Sequence, residues 1–92
     1  MRAVHVIVTG RVQGVGYRAW CAGRAKALGL GGWVRNRRSG EVEAAFSGPD
    51  DAVAAILEAC ERGPALARVD AVRIISDAPT LSATTFDVLA TL

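Results

Sequence analysis

Two helix-like segments, each flanked by strand-like segments, most constrain the fold of this 92-residue chain. Apolar residues at helical spacing predict helices over 17–28 and from Pro49 to a stop at Gly63-Pro64. Alternating apolar residues predict strands, with a loop over 76–82 before the last: 3–9, 32–37, 41–47, 69–75 and 84–89. The order is therefore β-α-β-β-α-β plus a short final strand. Two helices with one apolar stripe each would cover one face of an antiparallel sheet, an α+β architecture.

The same patterns predict which side chains form the core. The second helix is the clearest element, because Pro49 suits a helix start and Asp50 and Asp51 suit the dipole of the first turn. Glu41 and Glu43 are predicted to face outward from their strand. The predicted inward-facing residues are Val4, Val6, Val8, Tyr17, Cys21, Ala25, Leu28, Val42, Ala44, Phe46, Val53, Ile56, Leu57 and Cys60.

Composition excludes several classes of protein. A chain of this length buries roughly 60% of its unfolded surface, which predicts a single domain over 1–92 with one modest core. The net charge of +2 does not by itself demand nucleic acid. No apolar run reaches the roughly 20 residues of a membrane span, and the N-terminus does not resemble a signal peptide. With only Cys21 and Cys60, we predict a reduced, cytoplasmic protein, with a monomer as the default.

A glycine-rich stretch, GRVQGVGYR over 10–18, joins the first predicted strand to the first helix. Backbone N–H groups at a helix start are unpaired and carry about half a positive charge. Glycines allow several of these groups to converge on one centre. Arg18 would stand in the first helical turn, where its forked guanidinium can bind two oxygens of a phosphate. The stretch therefore predicts a site for a tetrahedral anion.

Three other interpretations of this stretch fit its residues less well. Gly14-x-Gly16-x-x-Ala19 matches the dinucleotide-binding pattern, but the chain is too short for two mononucleotide-binding halves, and a hairpin follows where a parallel strand is needed. A Walker loop requires Gly-Lys-Ser/Thr, which is absent. A tight connection would use the glycines only for turn geometry, and the neighbouring Arg18 favours an anion site over it.

A second stretch, GWVRNRRSGEVEAAFSG over 32–48, contains Asn36 near the end of a strand. Taken alone, Asn36 is interpreted as a turn former that bonds its own backbone. The two stretches together, however, resemble the paired signature of the acylphosphatase family. The first matches throughout, and the second matches at its start and at its closing glycine, Gly48. The element order fits over the whole chain, including RVDAV over 68–72.

The resemblance implies a ferredoxin-like α/β sandwich. It also implies hydrolysis of the carboxyl-phosphate bond of acyl phosphates to a carboxylate and inorganic phosphate. Carried over by position, Arg18 would bind the phosphate and Asn36 would position the attacking water. The implied partner is a small acyl phosphate, with no metal and no cofactor. The implied phosphate-binding residues are Gln13, Gly14, Val15, Gly16, Tyr17 and Arg18.

The chemistry of this reaction agrees with the residues available. The carboxylate that leaves has a conjugate acid with a pKa around 4, so it departs without being protonated. A phosphate ester would instead expel an alkoxide, which normally needs an acid or a metal. The sequence shows neither near the loop: His5 lies inside a strand, and no His/Cys cluster has metal-ligand spacing. Cys21 and Cys60 fit small buried hydrophobes better than nucleophiles.

Two alternatives from other functional classes remain open at this stage. The same architecture hosts RNA-binding modules, and Trp33, Arg35, Arg37 and Arg38 lie on or near one strand. The aromatic RNA-binding pattern is absent, however, and only 5% of residues are aromatic. A non-catalytic accessory role is the second alternative, because similar domains occur at the N-terminus of hydrogenase maturation carbamoyltransferases. The sequence does not identify which acyl phosphate is the substrate.

Overall fold

The computed structural model describes residues 1–78 and 85–92 and forms an α/β sandwich. Buried side chains of both helices join those of the central strands in one hydrophobic cluster. The helices therefore cover the same face of the sheet. The elements are β1 (Arg2–Arg11), α1 (Tyr17–Ala27), β2 (Gly31–Asn36), β3 (Val42–Gly48), α2 (Asp50–Arg62), β4 (Arg68–Ala78) and β5 (Phe86–Val88).

The sheet has five strands in the order β4-β1-β3-β2-β5. β1 pairs antiparallel with both β3 and β4, and β2 pairs antiparallel with β3. β5 pairs parallel with β2, with Val34 opposite Val88. The predicted ferredoxin-like α+β fold is confirmed. The sheet is mixed rather than wholly antiparallel, because the additional fifth strand runs in the same direction as its neighbour.

The core follows the predicted alternation closely. Val6, Val8, Val42 and Phe46 are fully buried on the helix-covered face. The helices contribute Tyr17, Cys21, Ala25, Val53, Ile56 and Cys60, all of which are buried as predicted.

Leu28 is the main departure from the predicted core, since it is 37% exposed. The first helix ends at Ala27, and the chain reverses through Gly29, whose φ is +73°. Leu30, only 4% exposed, then enters the core in its place. The predicted helix is one residue too long because the turn at Gly29 ends the helix before Leu28 can face inward.

β4 is longer than the sequence predicts. Its last residues, Ser76 to Ala78, pair with the beginning of β1 and extend the strand into the predicted loop over 76–82. The polar Ser76 and Asp77 suggested a loop, but their backbone groups are used in the ladder. The rest of that loop, and Thr84 of the predicted final strand, lie outside the described residues. Within the described part, the final strand is limited to β5.

Glu43 lies on the uncovered face of the sheet, as predicted, yet it is only 4% exposed. Arg35 Nε and Arg37 Nη1 donate hydrogen bonds to its Oε1 at 2.9 and 3.0 Å. His5 Nε2 contacts Oε2. Burial raises the pKa of Glu43, but the hydrogen bonds from Arg37, Arg35 and His5 lower it more, to about 2. The carboxylate is therefore held ionised within a small ion-pair network.

Candidate active site

A cavity of about 290 Å³ lies at one end of the sandwich, where the loop after β1 leads into α1 and β2 ends. The loop and helix start supply one side, and β2 and β5 supply the other. Both predicted catalytic residues, Arg18 and Asn36, line the same cavity. Its lining residues are Val12, Gln13, Gly14, Gly16, Tyr17, Arg18, Ala19, Asn36 and Val88.

The shape of the loop depends on two glycines with left-handed backbone conformations. Gly14 has a φ of +73° and Gly16 a φ of +79°. A Cβ at either position would meet no atom within 4 Å, so glycine is required by the backbone conformation and not by lack of space. Gly16 is the N-cap of α1 and supplies no side-chain hydrogen bond to the first turn. The helix N-terminus is therefore left available to an external acceptor.

The N–H groups of this loop and first turn are not used by other backbone groups. Over the described ranges, no carbonyl accepts a hydrogen bond from the N–H groups of residues 14–19, and the first helical bond runs from Trp20 N to Gly16 O at 3.0 Å. Unpaired N–H groups at a helix N-terminus favour an anion, both as hydrogen-bond donors and through the helix dipole. This geometry fits the tetrahedral anion expected from the sequence.

Arg18 lies in the first turn of α1 and is partly buried. Among the described residues it forms no ion pair with any carboxylate, whereas Arg35 and Arg37 are both paired with Glu43. An arginine that is held at a cavity without an acidic partner has all its donors available for an anion.

Asn36 is the last residue of β2 and lies on the same face as the buried Val34, two residues earlier. Its backbone carbonyl accepts a hydrogen bond from Leu92 N at 3.1 Å. Its side-chain amide forms no hydrogen bond within residues 1–78 and 85–92, so the bond to its own backbone that a turn former would make is not observed. The amide is available at the cavity as both donor and acceptor.

Gln13 has a second role that the sequence analysis missed. Its side-chain Nε2 donates hydrogen bonds to Arg37 O at 2.6 Å and to Glu41 O at 2.8 Å. These two carbonyls flank the turn between β2 and β3. The side chain therefore ties the glycine loop to the hairpin that carries Asn36. A glutamine in a loop gives no sequence signal for such a long-range contact.

The side chains of Tyr17 and Val15 pack on the hydrophobic core. Tyr17 is 2% exposed, and its hydroxyl donates a hydrogen bond to Cys60 O at 2.8 Å. Burial raises the pKa of this hydroxyl well above its usual value. Val15 packs against the core. Both residues would therefore bind an anion through their backbone N–H groups.

Comparison with known proteins decides the family. The sequence profile of the family described as Acylphosphatase matches residues 4–88. The chain belongs to the acylphosphatase family. It is 56% identical over 90 residues to an acylphosphatase of Azorhizobium caulinodans, with coverage of 97% of this chain and 96% of the relative. The resemblance inferred from the two motifs is thereby confirmed, as is the prediction of an enzyme of this family.

Solved structures of the family agree with the fold. A crystal structure of acylphosphatase from Bacillus subtilis superposes with a TM-score of 0.90 at 33% identity, covering 97% of this chain and 99% of that one. The structure of an acylphosphatase from Coxiella burnetii gives a TM-score of 0.88 at 33% identity, covering 95% and 90%. Family and fold together support acyl phosphate hydrolysis as the activity of this acylphosphatase-family chain.

Three cavity residues were not predicted from the sequence: Val12, Ala19 and Val88. The first two are neighbours of the glycine motif and could have been found by extending it. Val88 follows from the parallel placement of β5, which no local pattern indicates.

In the described portion of the chain, no three His, Cys, Asp or Glu residues cluster as a metal site would require. None of the helices in that portion has the length and apolarity needed to cross a bilayer.

Proposed function

We propose that this chain hydrolyses acyl phosphates without a metal ion, with the phosphoryl group bound by Arg18 and the N–H groups of residues 13–18. One observation carries the proposal: as far as residues 1–78 and 85–92 show, an arginine without an acidic partner, a set of unpaired N–H groups and the free amide of Asn36 line a single cavity. Such an arrangement suits a tetrahedral anion and a water molecule beside it.

In this proposal the catalytic contribution is mainly electrostatic. The N–H groups and the guanidinium stabilise the charge on the equatorial phosphoryl oxygens in the transition state. The side-chain oxygen of Asn36 accepts a hydrogen bond from a water molecule and aligns it opposite the leaving group. The water oxygen bonds to phosphorus as the bond from phosphorus to the carboxyl oxygen breaks. The electron pair leaves with the carboxylate, and a phosphate oxygen of the substrate accepts the proton from water.

Metal independence follows from the leaving group. A carboxylate with a conjugate-acid pKa around 4 needs no proton and no Lewis acid to depart. This makes acyl phosphates a better match to the site than phosphate esters, whose alkoxide leaving groups require such help. The proposal therefore predicts a strong preference for acyl phosphates over alkyl phosphate esters.

The nucleic-acid alternative is less well supported by the uncovered face of the sheet. Arg35 and Arg37 are paired with Glu43. The guanidinium of Arg35 also lies over the Trp33 ring, 4.7 Å from its centroid. The ring face and the two cations that would bind bases and phosphates are therefore already engaged. The accessory alternative predicts an intact phosphate site with no turnover.

Phosphate release from synthetic acetyl phosphate, measured with and without EDTA, tests the proposal. We expect enzyme-dependent release that EDTA does not reduce, and at least 100-fold slower release from an alkyl phosphate ester. Release that EDTA abolishes and added Mg²⁺ restores would contradict metal independence, and no release at all would support the accessory role. A single domain over 1–92, a cytoplasmic location and a monomeric state stay predictions.

A further inference from the structure

The cavity is larger than a phosphoryl group requires. The cavity measures about 290 Å³, is open to solvent on one side, and extends from the glycine loop and Arg18 to Asn36 and Val88. Phosphorus and its three terminal oxygens fill only part of such a volume. If the loop and Arg18 bind the phosphoryl group, as proposed above, the remaining space is available to the acyl part of the substrate.

Val88 is the large apolar side chain that borders this remaining space. It lines the cavity and is 49% exposed. Val12, by contrast, is 1% exposed and lies beneath the loop, where it offers almost no surface to a ligand. Ala19 contributes only a methyl group. Among the described residues of the cavity, Val88 therefore presents the main apolar contact surface.

The register of β5 explains why Val88 faces the cavity. Phe86 lies opposite Gly32 and is buried against Phe46, with the ring centroids 5.7 Å apart. Val88, two residues later, lies on the same helix-covered face of the sheet. Because β5 runs parallel to β2, Val88 lies opposite Val34. Val34 is two residues before Asn36 on the same face of β2.

The position of Val88 is fixed by backbone hydrogen bonds on both sides. After pairing with β2, the chain continues with Leu89 N donating to Val34 O at 2.9 Å and Leu92 N donating to Asn36 O at 3.1 Å. Residues 86–92 therefore follow the edge of β2 past Asn36. The backbone that carries Val88 is therefore hydrogen-bonded to β2 beside the cavity.

We propose that Val88 contacts the acyl group of the substrate and makes this enzyme prefer acyl phosphates with an apolar or aromatic acyl group. This inference rests on the proposed function, because it needs the phosphoryl group to occupy the loop. Contact between an apolar side chain and an apolar ligand group stabilises the complex roughly in proportion to the apolar surface area that the contact removes from water. A charged acyl group would lose hydration at Val88 without gaining a partner.

The test compares two substrates in two variants. Val88→Ala should lower the ratio of kcat/KM for benzoyl phosphate to kcat/KM for acetyl phosphate by about fourfold, the factor expected for about one methylene of lost apolar contact. The matched control is Ile75→Ala, because Ile75 is 48% exposed on β4 and lies outside the cavity. The control should leave the ratio at the wild-type value.

A third variant tests the inference by gain of preference. Val88→Lys should raise the kcat/KM of succinyl phosphate relative to benzoyl phosphate, since its ammonium can pair with the second carboxylate. The inhibition constant of inorganic phosphate reports on the loop alone. The inference is wrong if Val88→Ala changes that constant by the same factor as kcat/KM, or if Val88→Ala leaves the substrate ratio within twofold of wild type. Either result would leave the proposed acyl phosphate hydrolysis intact. If the wild-type protein hydrolyses none of these substrates, the proposed function itself fails.

Discussion

The arginines of this chain show how environment decides what one residue type does. Arg35 and Arg37 neutralise a nearly buried carboxylate, and Arg18 has no such partner within the described residues. An unpaired guanidinium beside unpaired N–H groups would repel further cations and attract anions. The charge of Arg18 is therefore available for binding, whereas the charges of Arg35 and Arg37 stabilise the fold.

Replacement of Arg18 by alanine should remove most activity. Each charge-assisted hydrogen bond lost costs about 1.5–3 kcal/mol, so kcat/KM should fall at least about 10- to 150-fold. Arg18→Lys should recover little, because an ammonium cannot reproduce the two parallel bonds of the fork. Arg24→Ala, on the same helix but outside the cavity, is the control and should retain activity. Equal losses in the Arg18 and Arg24 variants would contradict the assignment.

Replacement of Asn36 by alanine separates water positioning from substrate binding. We expect kcat to fall on the order of 100-fold, as when one preorganised polar group is removed from an active site. KM should change by less than about threefold, because in the proposed mechanism the phosphoryl group is held mainly by the loop and Arg18. Steady-state kinetics with acetyl phosphate measures both. A raised KM with an unchanged kcat would show that Asn36 binds the substrate instead.

The two motifs identify Arg18, Asn36 and the glycine loop, which meet at the cavity, but they indicate neither Val88 nor the directions of the side chains. Nothing local shows that the Tyr17 hydroxyl bonds Cys60 O, or that the Gln13 amide bonds carbonyls more than 20 residues away. Both contacts depend on tertiary packing. Sequence reasoning predicts a phosphate-binding loop from glycine spacing, while the choice between main-chain and side-chain contacts requires the fold.

The glycine loop is the element on which the site depends. Gly14→Ala should strain a left-handed residue by about 1–2 kcal/mol and displace the N–H groups from their common centre. Gly29 has the same φ, +73°, and equally open surroundings at the other end of α1. Gly29→Ala should therefore lower the free energy of unfolding by a similar amount.

Kinetics and urea denaturation of these two variants distinguish an effect of the loop conformation on activity from an effect of overall stability on activity. Only Gly14→Ala should lower kcat/KM, by about tenfold or more, while both variants should lose similar stability in urea. A Gly29 variant with the same kinetic defect would mean that activity follows overall stability and not the shape of the loop.

The central elements were predictable because their apolar residues recur at one period and face one core. The ends were not. β4 continues through Ser76 and Asp77 because β1 has unused backbone groups there, which outweighs the turn preference of these residues. The pairing of β5 is decided by the edge of β2, so neither its parallel direction nor the position of Val88 is encoded locally.

The nearly buried Glu43 makes the free energy of unfolding of the whole molecule depend on pH in the acid range. Its pKa in the folded protein is about 2, below the ordinary value of 4.5, so the unfolded chain binds a proton more readily. The resulting stabilisation is complete above about pH 4.5 and is lost as the pH falls towards about 2. Its size is on the order of 3 kcal/mol at neutral pH.

Urea unfolding at a series of pH values measures this contribution. Glu43→Gln should lower stability at pH 7 and flatten the fall between about pH 4.5 and about 2. Glu41→Gln, two residues earlier, changes a carboxylate that accepts a hydrogen bond from the Ser39 hydroxyl and should retain the wild-type profile. A Glu43 variant with the same acid profile as wild type would show that the ion-pair network does not contribute as described.

The central claim is that one guanidinium and the N–H groups of a glycine loop bind the phosphoryl group. Its most direct test is a titration of ¹⁵N-labelled protein with inorganic phosphate, followed by the backbone amide signals. The account predicts that the largest shifts occur at residues 13–18, with saturation, and that Arg18→Ala weakens this binding at least about tenfold. Shifts centred elsewhere, or equal affinity in the Arg18 variant, would contradict it.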